Sequence, residues 1–199
     1  MKIRLAVPEE AEECWNIRNL SIREGCKPSY CASVLEAWTP EAMPEHYRAV
    51  ITENPFFVVE LPDAGLVATG YLDLTEGSVE AIFTLPDYFG KGFASLIIET
   101  IKDEAVKRGL KQLILSSTPN AQTFYEKHGF MFIKETTSPS RLAKTDLRCM
   151  DMSINYQSEF SCASGRIKSI RYKFRTAASK PWAGYNSCVQ CPLLAHSGL

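Results

Sequence analysis

Between Pro55 and Leu85 the chain reads PFFVVEL, GLVATGYLDLT and SVEAIFTL, three β-rich runs separated only by PDAG and EG. Connections that short force neighbouring runs to pair as an antiparallel meander. The period then lengthens: after a glycine-bearing turn, Leu96, Ile97, Ile101 and Ala105 recur at helical spacing, and Gly109 stops the run. KQLILSS reads as a buried strand, NAQTFYEKH as a short helix ending at Gly129, and FMFIKET and LRCMDMSINY as the last strands. Upstream, KIRLAV is a short strand and EEAEECWNIRNLSIR a helix with a stripe through Ala11, Cys14, Ile17, Leu20 and Ile22. YCASVLEAW and EAMPEHYRAVITE form a second helical region, broken around Pro40 and Pro44. The predicted order is β-α-α-β-β-β-α-β-α-β-β. It implies an α/β (α+β) domain: a mixed, mostly antiparallel sheet of six to seven strands with helices on both faces.

A chain of 199 residues, 45% of them hydrophobic, fits one domain with an appendage. The regular pattern ends at Tyr156, so residues 1–156 are expected to form the domain and 157–199 an extension. That extension holds Arg166, Lys168, Arg171, Lys173, Arg175 and Lys180 against Glu159, a net +5 beside −6 for the remainder. Its dispersed basic residues, with Tyr172 and Phe174 among them, match no nucleic-acid module, and no nucleic-acid partner is expected. No run of eighteen apolar residues exists, and MKIRLAVPEEAEEC turns acidic too early for a signal peptide. Seven irregularly spaced cysteines argue against a disulfide framework and fit reduced thiols. A cytoplasmic protein without a membrane partner is expected. Cys188 and Cys191 have the spacing of half a zinc site, but no second pair stands nearby and His196 is a poor third ligand, so no metal is expected.

The glycine turn, LPDYFGKGFASLIIE, places small residues where a helix begins. A helix N-terminus leaves its first amides unpaired and partly positive, so small residues there let a phosphate approach the backbone. A nucleotide P-loop would need four residues between its glycines and then Lys-Ser or Lys-Thr, both missing from GKGFAS. A dinucleotide fingerprint would need a third glycine where Ser95 stands and an acidic residue ending the next strand, where the chain has LSS. The remaining reading is a pyrophosphate arm held by consecutive amides. Here IFTLPDYFGKGFASLIIETI resembles the acetyl-CoA motif of the GNAT superfamily of N-acetyltransferases, [Q/R]-x-x-G-x-[G/A], with Phe89 at the Gln/Arg place and Gly92 and Ala94 at the small places. About thirty residues on, NAQTFYEKHGF is similar to that superfamily's N-x-x-x-x-F-Y-x-x-x-G-F element. The resemblance covers residues 2–156.

It implies the GNAT acyl-CoA N-acyltransferase fold and transfer of an acetyl group from acetyl-CoA to a primary amine, by direct attack in a ternary complex. The pantetheine arm would pair with the strand edge Ile82, Phe83, Thr84 and Leu85, an amide near Phe83 would serve the oxyanion, and Gly90, Lys91, Gly92, Phe93, Ala94 and Ser95 would hold the pyrophosphate. Tyr125 matches the family's usual general acid; the alternative is an aromatic packed under the last strands, like Phe124. Asn120 would bond the pantetheine or else cap a helix. Glu80 alternates with Ile82 and so would share its face toward the substrate cleft, as the general base or else as a solvent-facing charge. Glu36 and His46 are secondary candidates for the base, and His128, before Gly129, reads as a C-terminal capping residue. Tyr30 and Trp38 would wall the acceptor pocket, a core role for Trp38 remaining open. The acidic body favours a cationic small-molecule or peptide amine. Family members are often homodimers, but no residue marks an interface. The rival expectation is a catalytically weak acyl-CoA-binding module whose basic tail contacts a partner.

Overall fold

The structure, a computed structural model, describes residues 1–156; the basic extension and the Cys188/Cys191 pair lie outside them. Seven strands form one sheet: β1 (Lys2–Leu5), β2 (Phe56–Leu61), β3 (Gly65–Asp73), β4 (Ser78–Thr84), β5 (Gln112–Ser117), β6 (Met131–Ser140) and β7 (Thr145–Asn155), in the order β1-β2-β3-β4-β5-β7-β6. Every neighbouring pair is antiparallel except β4 and β5, which are parallel. The helices are α1 (Ala11–Gly25), α2 (Ala32–Trp38), α3 (Tyr47–Glu53), α4 (Phe93–Lys107) and α5 (Gln122–Lys127). The meander, the mixed sheet and the break of the second helical region into α2 and α3 match the expected pattern.

Alternation along the strands sends side chains to two cores. Phe57, Val59, Val67 and Leu72 join Ile97, Ile98 and Ile101 of α4 on one face; Phe56, Val58, Leu66 and Tyr71 join Ala11, Cys14 and Trp15 of α1 on the other. This explains why FFVV is apolar at every position: each face of the sheet has its own helix layer. On the α4 side the approach is closest at Gly70, where an added Cβ would lie 2.5 Å from the Ile97 side chain. The α1 stripe contains two polar residues that its apolar spacing hides, Arg18 and Asn19, both buried. The Arg18 guanidinium lies 4.5 Å from the Trp15 ring centre and 5.9 Å from that of Trp38, and it donates to the Asn19 side chain and the Trp38 carbonyl.

The sheet is not continuous at its centre. β4 and β5 share one bridged pair, Ser78 with Ile114, and then diverge. Just past the bridge, Ala81 takes a positive φ of 53° and the register with β3 shifts between Thr69 and Tyr71, the signature of a bulge. An opening flanked by two strand edges results.

Candidate active site

Glu80 stands two residues beyond the bridge, opposite Tyr71. The bulge overturns the expectation that it shares a face with Ile82. Ile82 lies with Ile97 and Ile101 on the α4 side, whereas Glu80 shares the α1 side with Tyr71, because the extra residue breaks the two-residue period between them. Nor is Glu80 a solvent-facing charge: it is buried, and its Oε1 accepts from Ser78 Oγ at 2.8 Å. Burial raises its carboxyl to about 8, the nearby carboxylates of Asp73 and Glu76 adding to the effect and the Ser78 bond opposing it.

From the other side comes Tyr125 of α5, packed against the α4-side core with its ring 5.9 Å from Phe130 and 5.0 Å from Phe124. Burial holds its phenol above its ordinary value, and the charge of Glu80 adds to that shift, so the two groups share one electrostatic environment.

The amides along β4 are divided between the sheet and the opening. Leu85 N–H donates to the Val67 carbonyl at 2.9 Å. The alternation of an antiparallel ladder turns the Phe83 amide the same way, into the sheet, and leaves Ile82 and Thr84 directed at the opening. The expected Phe83 and Leu85 amides are therefore committed to β3. On the open side, the Thr84 amide lies 3.4 Å from Ser21 Oγ of α1.

Past β4 the chain makes one 3-10 turn, Pro86–Tyr88, and enters the glycine segment. Gly90 and Gly92 have φ of 72° and 87°, and a Cβ on either would meet nothing within 4 Å. The left-handed conformation accounts for glycine there, and the space beside both is open. The first internal bond of α4 runs from Leu96 N–H to the Gly92 carbonyl, so the amides of Phe93, Ala94 and Ser95 have no acceptor in the helix. Lys91 places its ammonium 4.6 Å from the Tyr88 ring centre, and Phe93 packs on the same ring at 5.9 Å. Phe89 is 41% exposed and lies against Gly25 at the end of α1.

Asn120 caps no helix: Thr118 precedes the short 3-10 turn and Ala121 precedes α5. Its amide instead donates from Nδ2 to the Gly25 carbonyl at 2.9 Å, and its Oδ1 accepts from Ser29 at 3.1 Å, tying the α1–α2 connection to the α5 end of the opening. Tyr30 and Trp38 meet edge to face at 5.6 Å and pack with Phe83, Ile22, Cys26 and Leu35. The Tyr30 hydroxyl also donates to the Arg148 carbonyl of β7 at 2.6 Å. Glu36 is exposed on α2, and His46 opens α3. His128 does end α5, but its ring does more than cap: it bonds Ser95 Oγ at 3.0 Å and Glu99 Oε1 at 2.8 Å, both on α4. Arg18 and the His128 bridge escaped sequence reading. Arg18 is hidden within an apolar stripe, and the His128 partners lie 29 and 33 residues away in the chain. Among the described residues no group of three or more His, Cys, Asp or Glu is placed to hold a metal ion, and no helix is long and apolar enough to cross a membrane.

The family model for the acetyltransferase (GNAT) domain matches residues 26–153. An uncharacterized acetyltransferase of Streptococcus pyogenes serotype M1 is 38% identical over 68 residues, which cover 32% of this chain and 47% of that protein. The chain thus spans about half the length of the curated relatives it matches. The crystal structure of a GCN5-related N-acetyltransferase from Rhodopseudomonas palustris superposes with a TM-score of 0.71 at 22% identity, over 77% of this chain and 94% of that one. The PaiA N-acetyltransferase of Thermoplasma acidophilum, solved with coenzyme A, gives 0.61 at 17% identity, over 78% and 98%. At these identities the likeness is one of fold. The family match covers most of the chain, and it coincides with a split sheet whose opening runs into a glycine turn and a bare helix N-terminus: this chain belongs to the GNAT acetyltransferase family.

Proposed function

We propose that residues 1–156 form an N-acetyltransferase domain that moves an acetyl group from acetyl-CoA to a primary amine by direct attack in a ternary complex. The observation that carries this reading is the divergence of β4 and β5 after a single bridged pair, with Glu80 and Tyr125 meeting electrostatically beside it. The fit to acetyl-CoA rests on the chain's own groups. Unpaired amides of Phe93, Ala94 and Ser95, the Cβ-free space at Gly90 and Gly92, and the Lys91 ammonium suit a diphosphate. Ile82 and Thr84 offer the open strand edge to the pantetheine arm, in place of Phe83 and Leu85. When bound, acetyl-CoA supplies the acetyl group as a thioester, already activated toward an amine.

Glu80 then acts as the base. In its carboxylate form it accepts a proton from the ammonium of the acceptor, directly or through water, which frees the nitrogen lone pair. The Ile82 amide serves the developing oxyanion, Tyr125, which keeps its proton at neutral pH, gives it to the departing thiolate, and the second proton that the nitrogen sheds on becoming an amide restores the phenol. Tyr30, Trp38 and Phe83 wall the acceptor side. Asn120 holds the α1–α2 connection in place through Gly25, Ser29 and the Cys26 thiol.

The test is release of free thiol from acetyl-CoA over a panel of polyamines, aminoglycosides and peptide amines, with Glu80→Gln and Tyr125→Phe beside the wild type. Turnover that falls in both variants supports the reading. Tight acetyl-CoA binding with no turnover on any amine sinks it and leaves the acyl-CoA-binding module.

A further inference from the structure

Beside the glycine turn, Ser95, His128 and Glu99 form a chain of hydrogen bonds. Ser95 Oγ lies 3.0 Å from His128 Nε2, and His128 Nδ1 lies 2.8 Å from Glu99 Oε1. Lys102 Nζ bonds both Glu99 oxygens at 3.0 Å and the His128 carbonyl at 3.1 Å. The Phe124 ring lies tilted against the imidazole, with the ring centres 4.7 Å apart. The charged groups that α4 turns toward His128 are Glu99 and Lys102; on its own helix, Glu126 and Lys127 are exposed. Burial would raise the Glu99 carboxyl, but its bonds to His128 and Lys102 outweigh that and hold it below its ordinary value.

Hydrogen counting then fixes what Ser95 can offer. Glu99 is an ionised acceptor, so Nδ1 carries a hydrogen. In the neutral ring Nε2 has only a lone pair, and the Ser95 hydroxyl must donate to it. Its oxygen is then left with only lone pairs to offer a ligand, the wrong polarity for a phosphate. In the imidazolium Nε2–H donates to Ser95 Oγ instead, and the hydroxyl hydrogen is released. Ser95 is the third residue of α4, among the amides without helical acceptors. A diphosphate seated on those amides therefore favours the second arrangement.

We infer that His128 is a positioning residue: when the diphosphate of the acyl donor binds, one proton passes from solvent to His128 Nε2, and the Ser95 hydroxyl turns from the imidazole to the anion. The inference rests on the acyl-CoA reading above. Any ligand that engages Ser95 in this way takes up a proton, and its affinity falls as pH rises.

Calorimetric titration of the full chain with dephospho-coenzyme A tests this, because that probe keeps the diphosphate but lacks the 3′-phosphate, which itself titrates near neutrality. Run at one pH in buffers of different ionisation enthalpy, the wild type should show net proton uptake on binding. Between pH 6.5 and 8.5 its affinity should fall by up to tenfold per pH unit. In His128→Gln the side-chain amide donates to Ser95 permanently, so binding should persist with no proton uptake and less than twofold dependence on pH. In Glu99→Gln, at a half-exposed position, the fall in affinity should move to lower pH. Ser95→Ala should bind weakly and without proton linkage. Wild-type binding without proton uptake, an equal uptake in His128→Gln, or an unmoved pH dependence in Glu99→Gln would each overturn the inference while leaving the cofactor reading intact. Failure of the wild type to bind at any pH would overturn both.

Discussion

Replacing Glu80 by Gln should stabilise the domain at alkaline pH, even as it removes the proposed base. The carboxyl is raised from 4.5 to about 8 in the folded protein, chiefly by burial. Between those values the folded state binds the proton and the unfolded state has lost it, so stability falls as pH rises through the window. At about 1.4 kcal/mol per pH unit the full window amounts to about 5 kcal/mol, and the part below pH 7 to roughly 3 kcal/mol. Gln keeps an oxygen that can accept from Ser78 Oγ, fills the same volume and does not titrate. Wild type and variant should therefore have similar stability at pH 5. They should separate progressively up to pH 8.5, where the variant should melt higher by roughly 10–20 °C, at about 2–4 °C per kcal/mol for a domain of this size. Urea unfolding of the ligand-free protein at half-unit steps of pH gives the difference curve directly, since contributions from other groups cancel between the two chains. Parallel curves from pH 5 to 8.5 would refute the claim that Glu80 is buried against a dehydrated surface, and with it the reason for its activation as a base.

Four further outcomes follow from the same geometry. Transfer to an amine should rise with pH up to about 8 as Glu80 deprotonates; Glu80→Gln should lower kcat by roughly 10²–10⁴ and flatten that limb, measured as initial rates of thiol release. Tyr125→Phe should slow the reaction about 10–100-fold without abolishing it, because a thiolate can leave unprotonated, and the deficit should be smallest with the most acidic thiol leaving group. At Gly92, Ala should lower stability by about 1–2 kcal/mol through the left-handed backbone alone, whereas Glu, reaching into the open space beside it, should also abolish calorimetric binding of acetyl-CoA; binding retained by Gly92→Glu would place the diphosphate elsewhere. At Gly70, Ala should lower stability by about 1–3 kcal/mol in urea unfolding because its methyl meets Ile97 and Ile82.

What could be read from the sequence divides along the range of the interactions. The meander was legible because PDAG and EG fix pairing over a few residues, and the helix after the glycine turn because its apolar period is local. Glu80 marks the boundary. Its strand was evident, but its face was not, since a bulge at Ala81 leaves no mark in the apolar pattern and reverses the parity of everything beyond it. The same reversal exchanges Phe83 and Leu85 for Ile82 and Thr84 as the amides facing the opening. Phe89 extends the point to the phosphate end. Where the family motif carries Gln or Arg, this chain sets an aromatic ring against Gly25, so in the proposed site the charge that faces the diphosphate would be the Lys91 ammonium, with the Ser95 hydroxyl as a neutral donor. The ring that bonds that hydroxyl belongs to His128, on the helix that also carries Tyr125, and Lys102 fastens the end of that helix to α4. In the proposed reading, diphosphate binding and placement of the acid would thus meet in one contact between α4 and α5. A change in His128 should therefore be felt in cofactor affinity before it is felt in the chemistry.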